Sequence, residues 1–290
     1  MNESHTHFLN EGERAGSRYA LSVPSRVPTG LAGLQLGQHA GASLEFKDHR
    51  DYQPGDDLRR IDWSAYARSD KLIVKLYREE VNPHLDILLD GSTSMTLQDS
   101  AKAQAALGVT AALVAAAANA GYSHQAYIAH DGCAPIAHGS DRPGAWDEIR
   151  FTGSGHPEAA LLQAPPAWRS QGIRVLVSDL LWMGEPNTTL DHLAVGSAAV
   201  YVVQVLARAD VEPPQRGNVR LVDCESGELK EVFVDAIAER RYHENLARHQ
   251  ENWNLAARAV GATMTTIVAE NIVKDWDLEA LVAAEVLTVN

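Results

Sequence analysis

The sequence predicts an α/β protein with a doubly wound, mostly parallel sheet preceded by a β-rich extension. Three observations carry this expectation. From His84 onward, short apolar runs alternate with helical stretches, the pattern of βαβ units whose strands are covered on both faces. The chain has 290 residues, enough for one or two domains with a sizeable core. Its composition, 45% hydrophobic and 22% charged, is that of a chain that folds.

Residues 1–40 are rich in Ser, Gly and Pro (SRYALSVPSRVPTGLAGLQLG) and read as a loosely ordered lead-in with at most one short helix. Residues 41–82 carry dense but balanced charge. Lys47, Arg50, Arg59, Arg60, Arg68, Lys71, Lys75 and Arg78 are set against nine acids between Glu45 and Glu80, which suits internal ion pairs. Residues 83–290 form the main domain. HLDILLD (84–90) reads as its first buried strand, followed by an Ala-rich helix over about 98–120 and a strand at 123–130. Between Ala103 and His130 no residue is formally charged. Gly108, Asn119 and Gly121 nevertheless interrupt the run, and Ala has little area to bury, so this is a helix running into a strand and not a membrane span. A helix near 157–163 and strands at 173–179 and 198–206 continue the series. NVRLVD (218–223) and LKEVFVD (229–235) form a hairpin-like pair joined by Glu225-Ser226-Gly227-Glu228, whose Gly supplies a positive φ. A long helix over about 236–260 stops at Gly261, before a strand at 264–269 and a last helix from Asp275.

Twenty-five Lys and Arg against 38 Asp and Glu give a formal net charge of −13. That charge repels phosphate backbones and anionic membrane surfaces, so nucleic-acid binding is disfavoured. The two cysteines, Cys133 and Cys224, stand far apart without a CxxC pair, which suits a reducing compartment and gives no zinc or redox framework. The N-terminus is polar and lacks the apolar core of a signal peptide. The expected location is cytoplasmic, without membrane insertion.

The most informative place chemically is the end of the first apolar run, Asp90-Gly91-Ser92-Thr93-Ser94. Ligands of doubly wound sheets sit beyond the carboxyl ends of the strands, so these side chains face the crevice. One carboxylate and two hydroxyls spaced by two along a turn can converge on a small hard cation, Mg²⁺ first and Mn²⁺ as the alternative. Asp179, ending IRVLVSD, arrives at the corresponding place on a neighbouring strand. The plainer reading is a strand-to-turn sequence whose hydroxyls cap the next helix. The set Asp90, Ser92, Ser94 and Asp179 resembles the von Willebrand factor A fold. Its metal-ion-dependent adhesion site uses DxSxS, a Thr from a second loop and an Asp from a third. The resemblance implies that these four residues are metal ligands. In the second loop, Gly153-Ser154-Gly155-His156, His156 stands where the Thr belongs, and Thr152 lies four residues earlier. An imidazole suits Zn²⁺ or Mn²⁺ better than Mg²⁺, so His156 either shifts the metal preference as a ligand or is a solvated loop residue and the second-loop contact is lost.

Upstream, Phe46-Lys47-Asp48-His49-Arg50-Asp51-Tyr52-Gln53-Pro54-Gly55-Asp56-Asp57-Leu58-Arg59-Arg60-Ile61-Asp62-Trp63 looks like the signature of the bacterial family catalogued as domain of unknown function 58. Pro54-Gly55 is a turn. Asp56 and Asp57, flanking Arg59 and Arg60, either pair to lock the segment onto the main domain with Trp63 buried beneath, or form a partner-recognition surface. Members of this family are commonly associated with MoxR-type AAA+ ATPases. The resemblance therefore implies a non-catalytic, metal-dependent adaptor with such a partner, acting in the assembly or maturation of other proteins. The rival is a metal-dependent phosphohydrolase working at the strand ends, but the haloacid-dehalogenase-type motif needs a second Asp where this chain has Ser92. His243-Glu244 and His249 miss the zincin spacing because Ala247 stands where the second His belongs. No P-loop occurs.

Overall fold

The computed structural model describes residues 3–22, 44–54, 56–79, 83–97, 99–212, 216–224 and 227–290, and the chain divides into two units, residues 1–25 with 83–290 and residues 26–82. The turn residues Gly55, Glu225 and Ser226 lie outside the described residues. So does the lead-in after Ser22. The first unit opens with helix α1 (Glu3–Gly16) and strand β1 (Tyr19–Leu21), and the second contains β2 (Leu44–Asp51), α2 (Trp63–Ser69) and β3 (Ile73–Glu79). The chain returns to the first unit with β4 (His84–Asp90), α3 (Lys102–Asn119), β5 (Ser123–Ala129), β6 (Cys133–Pro135), α4 (Pro157–Gln163) and β7 (Ile173–Ser178). There follow α5 (Pro186–Ala194), β8 (Ala199–Leu206), α6 (Arg208–Val211), β9 (Gly217–Val222), β10 (Leu229–Val234) and α7 (Ala236–Ala259). The last elements are β11 (Thr263–Val268), α8 (Ala269–Asp275), α9 (Glu279–Ala283) and β12 (Leu287–Val289).

The main sheet runs β11-β8-β7-β4-β5-β6, parallel throughout except for the antiparallel edge strand β6. Both faces are buried, which is why the strands read as near-continuous apolar runs. Leu85, Ile87 and Leu89 of β4 face one core with α1, α3 and α8, while Leu88 faces the other with α4, α5 and α7. Each such Leu or Ile contributes roughly 1.5–3 kcal/mol by leaving water. The strand order reverses between β4 and β7, and this switch point is where a doubly wound sheet opens a crevice.

Residues 3–21 are more ordered than a loose lead-in. Leu9 is buried, and α1 lies on α3 at backbone contact, where a Cβ on Gly12 would stand 1.9 Å from the Gly108 carbonyl oxygen and one on Gly16 would stand 2.2 Å from that of Ala112. Glycine alone allows this approach. β1 then pairs antiparallel with β12. The final helical region also departs from expectation. Helix α8 begins at Ala269, directly after β11 and ahead of Asp275, because Ala269 and Ile272 are drawn into the core, and Trp276 ends it in a left-handed conformation (φ 54°).

In the second unit β2 and β3 form an antiparallel pair with a register shift between Phe46 and Asp48. Asp57 pairs with Arg59 as expected (2.9 Å), but Asp56 takes Arg50 (2.9 Å) and the Gln53 N–H (2.8 Å). Asp62 caps α2 through the Ser64 and Ala65 N–H groups and also meets His49 (3.0 Å) and Lys75 (3.7 Å). Trp63, expected to be buried, is 61% exposed and edge-on to Tyr66.

Candidate functional site

Strands β4 and β7 pair in parallel and end together, so Asp90 and Asp179 leave the sheet side by side at the switch point. Gly91 follows because the chain there runs against β5. Its N–H donates to the Ala129 carbonyl (2.9 Å), and a Cβ would stand 2.6 Å from that oxygen. The turn Thr93–Thr96 is stitched to the 153–156 loop. The Thr93 N–H and hydroxyl donate to the Gly153 carbonyl (2.9 and 3.1 Å), and the Gly153 N–H donates to the Gly91 carbonyl (2.9 Å).

Asp90 is buried. One of its oxygens accepts the Ser92 N–H (2.9 Å) and the other the Ser178 hydroxyl (2.6 Å). Burial, with the neighbouring Asp179 charge adding to it, pushes the Asp90 carboxyl up to about 7, and the hydrogen bonds from Ser178 and Ser92 only partly oppose this. Ser92 caps no helix. Its hydroxyl lies 2.9 Å from that of Ser94, and α3 starts only at Lys102.

Asp179 accepts the Leu181 N–H on Oδ1 (3.0 Å) and the Lys102 ammonium on Oδ2 (2.7 Å), and the same ammonium stands 3.2 Å from Asp210 Oδ2 of α6. Lys102 and Asp179 are both almost wholly buried. Burial alone would pull the Lys102 pKa down, but the carboxylates of Asp179 and Asp210 outweigh it and leave the pKa raised, so the side chain stays an ammonium. Beneath, Gln204 donates to the Asp179 carbonyl (2.9 Å) and accepts from Gln250 (3.0 Å) and Thr266 (2.9 Å), which satisfies a fully buried amide. His249 holds the Leu180 carbonyl (2.6 Å).

His156 does not join this network. It caps α4, its Nδ1 accepts the Ala159 N–H (3.4 Å), and its ring stacks on Trp182 with centroids 5.3 Å apart. Trp182 in turn donates to Glu158 (3.0 Å). On the loop that starts at Asp179, Leu181 is exposed and Met183 is fully so.

Residues 48–252 match the family model described as "Protein of unknown function DUF58". The chain belongs to the DUF58 family. Its DUF58 relatives include uncharacterized proteins of Mycobacterium tuberculosis and Mycobacterium bovis, each 27% identical over 274 residues that cover 88% of this chain and 83% of the relative. Among solved structures, a von Willebrand factor type A protein from Catenulispora acidiphila is similar with a TM-score of 0.36 at 12% identity, covering 71% of this chain and 43% of that one. BatB from Bacteroides thetaiotaomicron, a conserved hypothetical protein, is similar with a TM-score of 0.32 at 12% identity, covering 66% and 96%.

In this DUF58 chain the donors, as arranged, do not fit the divalent ion that the von Willebrand factor A resemblance implies. Both oxygens of Asp179 are engaged, one by an ammonium that already supplies positive charge, and His156 serves α4. The sequence pattern did bring Asp90, Ser92, Ser94 and Asp179 to one strand-end region. It missed Ser178, Lys102 and Asp210. A signal existed for each: Ser178 is next to Asp179, Lys102 is the single charge on an otherwise neutral helix, and Asp210 lies just past the end of β8.

Proposed function

We propose that this DUF58 protein is a non-catalytic interaction module that docks a protein partner on the carboxyl end of its main sheet. The observation that carries this reading is the loop after β7, which sets the exposed Leu181 and Met183 beside a polar floor fixed by buried hydrogen bonds. Apolar side chains held out over a rigid rim suit contact with another protein. The family resemblance favours a MoxR-type AAA+ ATPase as the partner and an adaptor role in the assembly or maturation of other proteins. The test is to immobilise the full chain and Met183→Asp and to identify retained proteins from native lysate by mass spectrometry. Retention of an AAA+ ATPase by the wild type and its loss in the variant supports the reading. Equal retention by both, or turnover of phosphate esters that disappears in Asp90→Asn, overturns it.

A further inference from the structure

We infer that the Lys102 ammonium is the resident cation of this crevice, so that the carboxyl end of the sheet is organised by an internal charge without a divalent metal. The first argument is placement. Lys102 is the first residue of α3 and its only charged side chain, at the helix end where the backbone dipole disfavours a cation. Solvation does not account for it there, since its side chain is 2% exposed. What accounts for it is two carboxylates arriving from separate elements, Asp179 from the end of β7 at 2.7 Å and Asp210 from α6 at 3.2 Å. A lysine this deeply buried persists only when paired.

The second argument is what remains for a metal. With Oδ1 of Asp179 on the Leu181 N–H and Oδ2 on the ammonium, a divalent ion drawn to this carboxylate would face a fixed positive charge across the same oxygen. Asp90 accepts from the Ser92 N–H and the Ser178 hydroxyl, and the Ser92 and Ser94 hydroxyls share one hydrogen bond. Lys102 thus ties α3, β7 and α6 together at the point where a metal would otherwise join loops. A partner would meet a surface already set, with no open coordination position to fill.

This inference does not depend on the docking reading, because it is tested on the chain alone. Chelator-treated full-length protein is titrated with MnCl₂ and MgCl₂ by calorimetry, with free Mn²⁺ followed by electron paramagnetic resonance. The expected result is no saturable heat up to millimolar metal, a free Mn²⁺ signal equal to that of buffer, and one melting temperature in EDTA and in Mg²⁺. Lys102→Met should melt well below wild type. Stoichiometric Mn²⁺ binding by the wild type that is lost in Ser92→Ala overturns the inference, as does a Lys102→Met protein with wild-type stability. If Lys102→Met does not fold, the wild-type titration decides alone. Metal binding with partner retention intact sinks only this inference, and absence of both sinks only the docking reading.

Discussion

At the carboxyl end of the main sheet Lys102 meets Asp179 and Asp210 with its side chain 2% exposed, whereas in the second unit Arg59 meets Asp57 with its guanidinium 80% exposed. The distances are alike, 2.7 Å in one and 2.9 Å in the other. The surroundings decide their weight. Water solvates Arg59 or Asp57 when either is left alone and screens them when paired, so that pair is close to neutral for stability. In the buried cluster a carboxylate left alone has no water to turn to, and the loss of one partner is felt in full. Close ion pairs in one chain therefore do not carry equal meaning.

The sharpest way to break this contrast is Lys102→Met. Removing the buried cation should cost about 3–5 kcal/mol and lower the melting temperature by on the order of 10 °C, and adding Asp179→Asn should recover part of the loss. Chemical denaturation checks both. A single-variant loss within experimental error would place Lys102 in the same class as Arg59.

Next in size is Asp90. Its folded pKa of about 7 lies above its ordinary 3.8, so between those values the folded state binds more protons than the unfolded one. Stability should therefore fall as pH rises from about 4 to about 7, and the slope should vanish in Asp90→Asn. Urea midpoints for both proteins across that range test it, and a slope retained in the variant would assign it to another group.

Asp62 behaves oppositely. The Ala65 N–H, then His49 and Lys75, hold its carboxyl below the usual range. Its contribution is present above the ordinary carboxylate pKa of about 3.9 and is lost as pH falls through the lower folded value. Asp62→Ala should speed hydrogen exchange of the first-turn amides of α2 at neutral pH, and wild type should approach the variant in acid. The smallest effects belong to Arg59→Ala and to Trp63→Ala. Both side chains are mostly exposed, so melting curves should match wild type.

Element by element, legibility followed burial on both faces. HLDILLD reads as a strand from its apolar run, which matches β4 residue for residue, and its interior Asp86 is buried because His84 and the Arg169 N–H satisfy it. For helix α7 the stop at Gly261, at φ 73°, was legible, and the structure adds the Asp235 cap at its start. Strands β1, β6 and β12 have three residues each and exist because a neighbour supplies their hydrogen bonds, which no local pattern announces. Helix α8 was displaced because no turn residue separates it from β11.

The sequence by itself determined the α/β class and the strand ends that deliver Asp90 and Asp179. Both depend on neighbours along the chain, through hydrophobic period. Tertiary structure alone decided that His156 stacks on Trp182, that Trp63 faces outward, and that the cation beside Asp179 is Lys102, 77 residues away in the chain. Charge pairing in a low-dielectric interior depends on distance in space, and packing alone sets which charge arrives there.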